Sequence, residues 1–361
     1  MLGDFDPTLP LERAHTLPAH CYRAADVLEA ERRHVFAKSW QLVARADQLR
    51  KPGSFVTADV AGEPIALVRD AMGVLRAFYN VCRHRAARVL REVEGTASRL
   101  RCGYHGWTYD LAGQLRGVPE FDGVADFRRE DNGLISVHVA EWGPFVWAYL
   151  ADKPPPLEEY LAPFPQLSAA LQLDRLHFVA RREYNLHCNW KVLVDNYLDG
   201  GYHVNCVHPG LAGSLDYANY RTEVFEHCSL QSSPLRTEAA DATVGGVRGG
   251  ERAYYWWIFP NLMLNSYAGV MDTNLVVPTG PQTCRVIFDF YFADTSPAQV
   301  GFREKSMDVA HQIQLEDAQI CEEVQQGLAS RSYSTGRFSV RREAAGYHFH
   351  RLLARWLPGS L

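Results

Sequence analysis

The chain has 361 residues, 47% hydrophobic and 22% charged, with a formal net charge of −5. That length provides for two or more domains and a large core, and the composition is that of a globular protein. Acids and bases are interspersed without a basic run, and no apolar stretch approaches the ~20 residues of a membrane span, so neither nucleic-acid binding nor membrane insertion is expected.

The opening M-L-G-D-F-D-P-T-L-P has neither a basic nor an apolar signal region, and the cysteines read as buried thiols or metal ligands, so a cytoplasmic protein is expected. Residues 1–38 carry Pro7, Pro10 and Pro18, then a helical stretch at 26–38 with Val27, Leu28, Val35 and Phe36 as its apolar members. This predicts an N-terminal arm that packs on the catalytic domain.

Residues 39–152 have the texture of an antiparallel all-β domain: short runs such as S-F-V-T-A-D-V and P-I-A-L-V-R, broken by Gly and Asp. Two arms stand out, C-R-H (Cys82, His84) and C-G-Y-H (Cys102, His105). A zinc finger is one reading, but zinc fingers group cysteines in one arm and histidines in the other. One Cys and one His per arm suits a [2Fe-2S] cluster in which two thiolates hold one iron and two imidazoles the other. Gly106-Trp107-Thr108-Tyr109-Asp110 supplies bulky residues to shield such a cluster.

Prolines 154, 155, 156, 163 and 165 mark a boundary, and residues 153–361 form the second domain. Its centre is the stretch Asn189–His208, N-W-K-V-L-V-D-N-Y-L-D-G-G-Y-H-V-N-C-V-H. Lys191, Asp195, Asp199 and His203 are each four apart and would share one face of a helix, loosened at Gly200-Gly201. His203 and His208 either cap a helix end as satisfied histidines or bind one metal with a carboxylate from elsewhere. Strands are expected near 177–184, 254–259, 262–267, 273–277 and 285–292, and residues 236–252, with Gly245-Gly246 and Gly249-Gly250, read as a loop over the site entrance. A helix is expected at 303–328, with Ala310, Ile313, Cys321 and Val324 on one face. Asp317 shares that face, which is costly unless it is paired or bound to a metal, whereas Glu316 lies off it with an exposed role open to it. Asp317 is therefore the expected third ligand.

C-R-H-R…C-G-Y-H-G-W-T-Y resembles the Rieske domain of the Rieske non-haem iron oxygenases, and N-W-K…D-N-Y…Y-H-x4-H resembles their catalytic domain, over about residues 40–328 in the family's order. The resemblance implies an α+β chain: an all-β Rieske [2Fe-2S] domain plus a helix-grip catalytic domain, an antiparallel sheet with a long helix. D-N-Y-L-D-G-G-Y-H-V and E-D-A-Q-I-C-E-E-V-Q-Q-G-L are similar to the choline-monooxygenase-like branch. The implied cofactors are the cluster, on Cys82, His84, Cys102 and His105, and a mononuclear Fe(II), on His203, His208 and Asp317. Ala87 and Tyr104 stand where respiratory Rieske proteins carry a bracing disulfide, which cannot form here. The resemblance also implies a homotrimer in which a carboxylate bridges cluster and iron between subunits. The family's acid lies three residues before the first histidine ligand, where this chain has Gly200, so Asp199 is the expected bridge and Asp195 the second choice. No G-x-G-x-x-G follows a strand, so electrons are expected from a separate NAD(P)H-dependent reductase, with or without a ferredoxin.

Tyr255, Trp257 and Phe259 alternate on one strand face and would present π-surfaces to a trimethylammonium group, or simply fill a β core. Hydroxylation beside nitrogen or N-demethylation of a choline-, betaine- or carnitine-like compound is the expected chemistry. An aromatic ring hydroxylase or O-demethylase is the alternative, and a non-catalytic electron carrier a remoter one.

Overall fold

Short apolar strands separated by Gly and Asp turns build the unit Phe36–Leu157, while Met1–Val35 and Glu158–Leu361 together build a second. The computed structural model describes residues 2–236 and 247–357. Most of the stretch read as an entrance loop, Gly245-Gly246 included, lies outside the described residues.

In the first unit β1 (Gln41–Arg45), β2 (Ser54–Val60), β3 (Glu63–Arg69), β4 (Leu75–Tyr79), β5 (Glu94–Thr96), β9 (Ser136–Trp142) and β10 (Phe145–Tyr149) pair antiparallel in the order β1-β10-β9-β4-β3-β2-β5. A smaller sheet joins β6 (Leu100–Arg101), β7 (Thr108–Tyr109) and β8 (Leu115–Gly117). Cys82–His84 follows β4 and Cys102–His105 connects β6 to β7, so each arm is a loop at a strand end. Both cysteines belong to the core formed by Phe55, Val68, Phe78, Leu100, Trp107 and Tyr109.

The second unit is a single antiparallel sheet gripping helices. Its strands are β11 (His177–Leu186), β12 (Arg221–Val224), β13 (Cys228–Pro234), β14 (Arg252–Ile258), β15 (Leu262–Tyr267), β16 (Val270–Gly280) and β17 (Thr283–Phe292), in the order β11-β17-β16-β15-β14-β13-β12. β12 and β13 were not foreseen; the former is a mostly exposed edge and the latter lacks clean alternation. The Trp190–Tyr197 helix packs on β16, β17 and the long Val300–Gly327 helix. Tyr197 pins it to the sheet, its hydroxyl within 3.1 Å of Trp256 O, 3.2 Å of Leu264 O and 2.9 Å of Asn265 Oδ1.

The N-terminal segment is tied to this unit by a buried ion pair. Lys191 Nζ meets Glu31 Oε1 at 2.5 Å, and Trp190 Nε1 donates to Glu31 Oε2 at 2.8 Å. Lys191 thus pairs with Glu31 rather than with Asp195 or Asp199. The expected four-apart helical row does not exist, because the helix ends at Tyr197 and Gly200 and Gly201 take φ of +70° and +71°. Gly200 is obligatory on a second ground: a Cβ there would lie 2.2 Å from Arg342 O. Two smaller expectations also change. Val324 is exposed rather than on the buried face, and Cys206 is exposed rather than a buried thiol.

Candidate metal centres and substrate cleft

In the first unit the two loops bring Cys82, His84, Cys102 and His105 around a space of about 150 Å3. Both thiols are buried, and the His84 and His105 rings approach to 4.6 Å between centroids. His84 Nδ1 is buried without a hydrogen-bond partner. A buried, unpartnered ring nitrogen facing two buried thiols is a donor set with no protein-only satisfaction, and it fits a [2Fe-2S] cluster. Burial first, then the His105 and Arg85 charges, lowers the His84 pKa and favours the neutral, ligating imidazole. Trp107 stacks on His84 (4.9 Å, 7°), and Tyr104 stacks on His105 (3.7 Å). The Tyr109 hydroxyl sits 3.4 Å from Cys82 Sγ and accepts from Arg83 N at 3.1 Å, so its own proton is available to sulfur.

In the second unit the turn at Gly200-Gly201 carries His203 onto a short helix, Val204–Val207, and His208 just after it, both facing the long helix. His203 Nε2 and His208 Nε2 stand 3.1 Å apart, and Asp317 Oδ1 lies 3.1 Å from His208 Nε2 and 3.7 Å from His203 Nε2. His203 Nδ1 is 2.7 Å from Asp199 Oδ2, and His208 Nδ1 is 2.7 Å from Glu316 Oε2. With each Nδ1–H donated to a carboxylate, each Nε2 presents a lone pair, so two acceptors and a carboxylate oxygen converge. Such a set suits a cation and is the two-histidine, one-carboxylate face of non-haem iron sites. Asn196 Nδ2 donates to Asp317 Oδ1 at 2.7 Å and fixes that carboxylate. Burial pulls the His208 pKa down, but Asp317 and then Glu316 outweigh it, and the net shift is upward.

Glu316 corrects the sequence reading: it is not an idle surface acid but the partner of His208. Its position off the apolar stripe hid this, as did the unforeseen path of the chain after Gly201. Asn196 was missed as well. Asp199 also accepts from His203 N (2.9 Å) and Tyr202 N (3.0 Å), so the acid is held rigidly. Asp195 is elsewhere. It takes a hydrogen bond from Tyr22 OH at 2.6 Å and lies 2.8 Å from His350 Nε2. Leu17 N donates to His350 Nδ1 (3.2 Å), so Nε2 carries the proton donated to Asp195.

Beside the triad opens a cleft of about 810 Å3, counted out to its mouth with the open solvent there included. Tyr197, Tyr220, Tyr255 and Tyr267 line it together with Met263 and Phe288. Of the expected aromatic trio only Tyr255 is among the lining residues. Trp257 in β14 and Phe259 just past its end pack on the Ala344–Trp356 helix, where Trp257 meets Phe349 at 5.5 Å and Phe259 meets Trp356 at 5.4 Å. Sequence periodicity identifies the strand face but not which helix covers each part of it.

A two-loop Cys/His pocket in an all-β unit, with a histidine–histidine–aspartate cluster inside a helix-grip sheet, is the layout of a two-centre iron oxygenase. Comparison with known proteins agrees. Residues 39–128 match the Rieske [2Fe-2S] domain, and residues 173–359 match the ring hydroxylating alpha subunit (catalytic domain). The chain is 37% identical to the chloroplastic choline monooxygenase of Arabidopsis thaliana, over 98% of this chain and 85% of that protein. It is 31% identical to the carnitine monooxygenase oxygenase subunit of Escherichia coli (strain K12), over 95% and 94% of the two chains. The quaternary ammonium Rieske monooxygenase CntA in complex with L-carnitine superposes with a TM-score of 0.84 at 29% identity, covering 97% of this chain and 99% of that one. Naphthalene 1,2-dioxygenase from Rhodococcus sp., at 19% identity and a TM-score of 0.79, shares the fold. The chain belongs to the Rieske non-haem iron oxygenases, as a monooxygenase with a [2Fe-2S] cluster and a mononuclear iron. An electron-transfer partner is required, and among the described residues no helix is long and apolar enough to cross a membrane.

Proposed function

We propose that this chain is the oxygenase component that hydroxylates a carbon next to a quaternary nitrogen, releasing an aldehyde or a demethylated amine. The observation that carries this reading is a tyrosine-lined cleft opening directly on His203, His208 and Asp317. Tyrosine faces attract a trimethylammonium group by about 0.5–2 kcal/mol each. Relatives of this chain act on choline and carnitine, which supports the same class of substrate.

In this reading Cys82, Cys102, His84 and His105 hold the cluster, and His203, His208 and Asp317 hold the mononuclear iron. When bound, these groups supply single electrons and O2 activation. The protein's own part is positioning. Asp199 and Glu316 each hold a histidine proton at Nδ1, which fixes ring orientation and raises the basicity of Nε2. Asn196 keeps Asp317 from rotating away. Asp199, with one oxygen on His203, is the carboxylate that links a neighbouring subunit's cluster to this iron in a homotrimer. Inter-subunit electron transfer is addressed for the carnitine-oxidising relative, which supports the link. The acid cannot stand at position 200, where any Cβ meets the Arg342 carbonyl, and Asp199 is the adjacent place from which a carboxylate reaches His203. Electrons come from an NAD(P)H-dependent reductase, with or without a ferredoxin.

The test is steady-state turnover with a reductase and NADH over a panel of choline, carnitine, γ-butyrobetaine and methoxy- and hydroxybenzoates. Product formed only from quaternary ammonium compounds is the expected result. Turnover confined to the benzoates would overturn it in favour of an arene oxygenase or O-demethylase.

A further inference from the structure

The substrate cleft contains a buried charge that none of the roles above uses. Arg248 is 6% exposed and lines the same cleft as His203, His208 and Asp317. A guanidinium offers five N–H donors in a planar fork. Among the described residues its one ion pair is loose, Nη1 to Asp272 Oδ2 at 3.6 Å, and Nε has no partner. Asp272 is better served elsewhere, accepting from Asn265 Nδ2 at 2.7 Å. A buried cation with this few partners is costly unless another anion completes it. The Arg248 guanidinium carbon lies 4.3 Å above the Tyr267 ring, which holds the group in place.

Contacts run from this arginine to the turn that carries His203. Tyr267 OH donates to Tyr255 OH at 3.1 Å, and Tyr255 stacks near-parallel to Tyr220 at 6.3 Å. The Tyr220 ring in turn lies 2.9 Å from where a Gly201 Cβ would be, two residues before His203. Arg248 and the turn that carries His203 are therefore the two ends of a run of three tyrosines, and the cleft they line also holds the triad.

We propose that the substrate is a zwitterion: a quaternary ammonium compound whose carboxylate docks on Arg248 while its methyl groups lie along the tyrosines towards His203 and His208. The inference rests on the quaternary-ammonium reading above and narrows it. It separates carnitine-like compounds, which carry the anion, from choline, which does not. Planar, two-pronged recognition of a carboxylate is what a guanidinium provides and an ammonium does not.

The experiment is an equilibrium titration of the holoenzyme, cluster and iron loaded, with γ-butyrobetaine, carnitine, choline and a methoxybenzoate. The wild type is expected to bind the zwitterions about 10- to 100-fold more tightly than choline, the range of one or two charge-assisted hydrogen bonds. The paired substitution Arg248→Met with Asp272→Asn removes both charges together, and the ratio should fall towards one; Arg248→Lys should give an intermediate ratio. Choline binding as tightly as γ-butyrobetaine to the wild type overturns the inference without any variant. So does a ratio that survives in a folded double variant with an intact cluster spectrum. Binding of methoxybenzoate with no quaternary ammonium compound bound would instead sink the parent reading and the zwitterion with it, an outcome distinct from choline's success.

Discussion

At the scale of single residues, the iron site depends on two carboxylates that do not themselves belong to the triad. Asp199 and Glu316 sit 2.7 Å from the outer nitrogens of His203 and His208, and removing such a partner typically weakens metal binding about 10- to 100-fold. Glu316→Gln should lower iron affinity by that order while leaving the cluster's visible spectrum unchanged; titration of the apo-site with Fe(II) checks this, and wild-type affinity would remove Glu316 from the account. Asp317→Ala should lose the mononuclear iron altogether yet keep the cluster, as read by metal analysis beside the visible spectrum. Asp199→Asn should weaken iron binding by the same order and, once loaded with excess Fe(II), slow electron transfer between the two centres, whereas Asp195→Asn should do neither. Stopped-flow oxidation of the reduced cluster separates the two. Asp317 was legible in the sequence because an acid amid apolar residues at helical spacing needs a reason. Glu316 was not, because its reason lies in a turn that periodicity cannot describe.

At the scale of elements, glycine and burial decide what the sequence pattern left open. A continuous helix through His203 fits the four-residue spacing, but Gly200 at φ +70° against the Arg342 carbonyl ends that pattern and sets the angle at which His203 enters the cleft. Gly200→Ala should cost at least about 1–2 kcal/mol from the left-handed backbone alone, with more from the clash, and should also reduce iron retention. Calorimetry and metal analysis test both, and an unchanged melting temperature would contradict it. The Lys191–Glu31 pair, both side chains 0% exposed, anchors the N-terminal segment to the Trp190–Tyr197 helix. Glu31→Ala leaves an uncompensated buried lysine and should destabilise the fold by about 3–5 kcal/mol, measured by denaturant unfolding. The arm itself could be read from its prolines and its helix, but its partner Lys191 could not, since nothing local says which of four spaced polar residues turns inward.

At the scale of the whole molecule, the order of an all-β unit and a helix-grip unit was legible because two short motifs, C-x-H…C-x2-H and H-x4-H, each demand a specific local geometry. The lining of the cleft was not, because the Trp190–Tyr197 helix, the β14–β16 stretch with Arg248 just before it, and the long Val300–Gly327 helix contribute to it from three segments far apart in sequence. Trp257 and Phe259 show the difference: their strand was foreseen, but the Ala344–Trp356 helix covers them. The most direct measurement is a single turnover: the anaerobically reduced, iron-loaded protein is mixed with γ-butyrobetaine, carnitine, choline or a methoxybenzoate, then with O2, and cluster oxidation and product are followed together. The account predicts that a quaternary ammonium compound accelerates cluster oxidation and is recovered hydroxylated or demethylated in proportion to the electrons lost. Acceleration and product with the methoxybenzoate alone, or cluster oxidation indifferent to every compound, would contradict it.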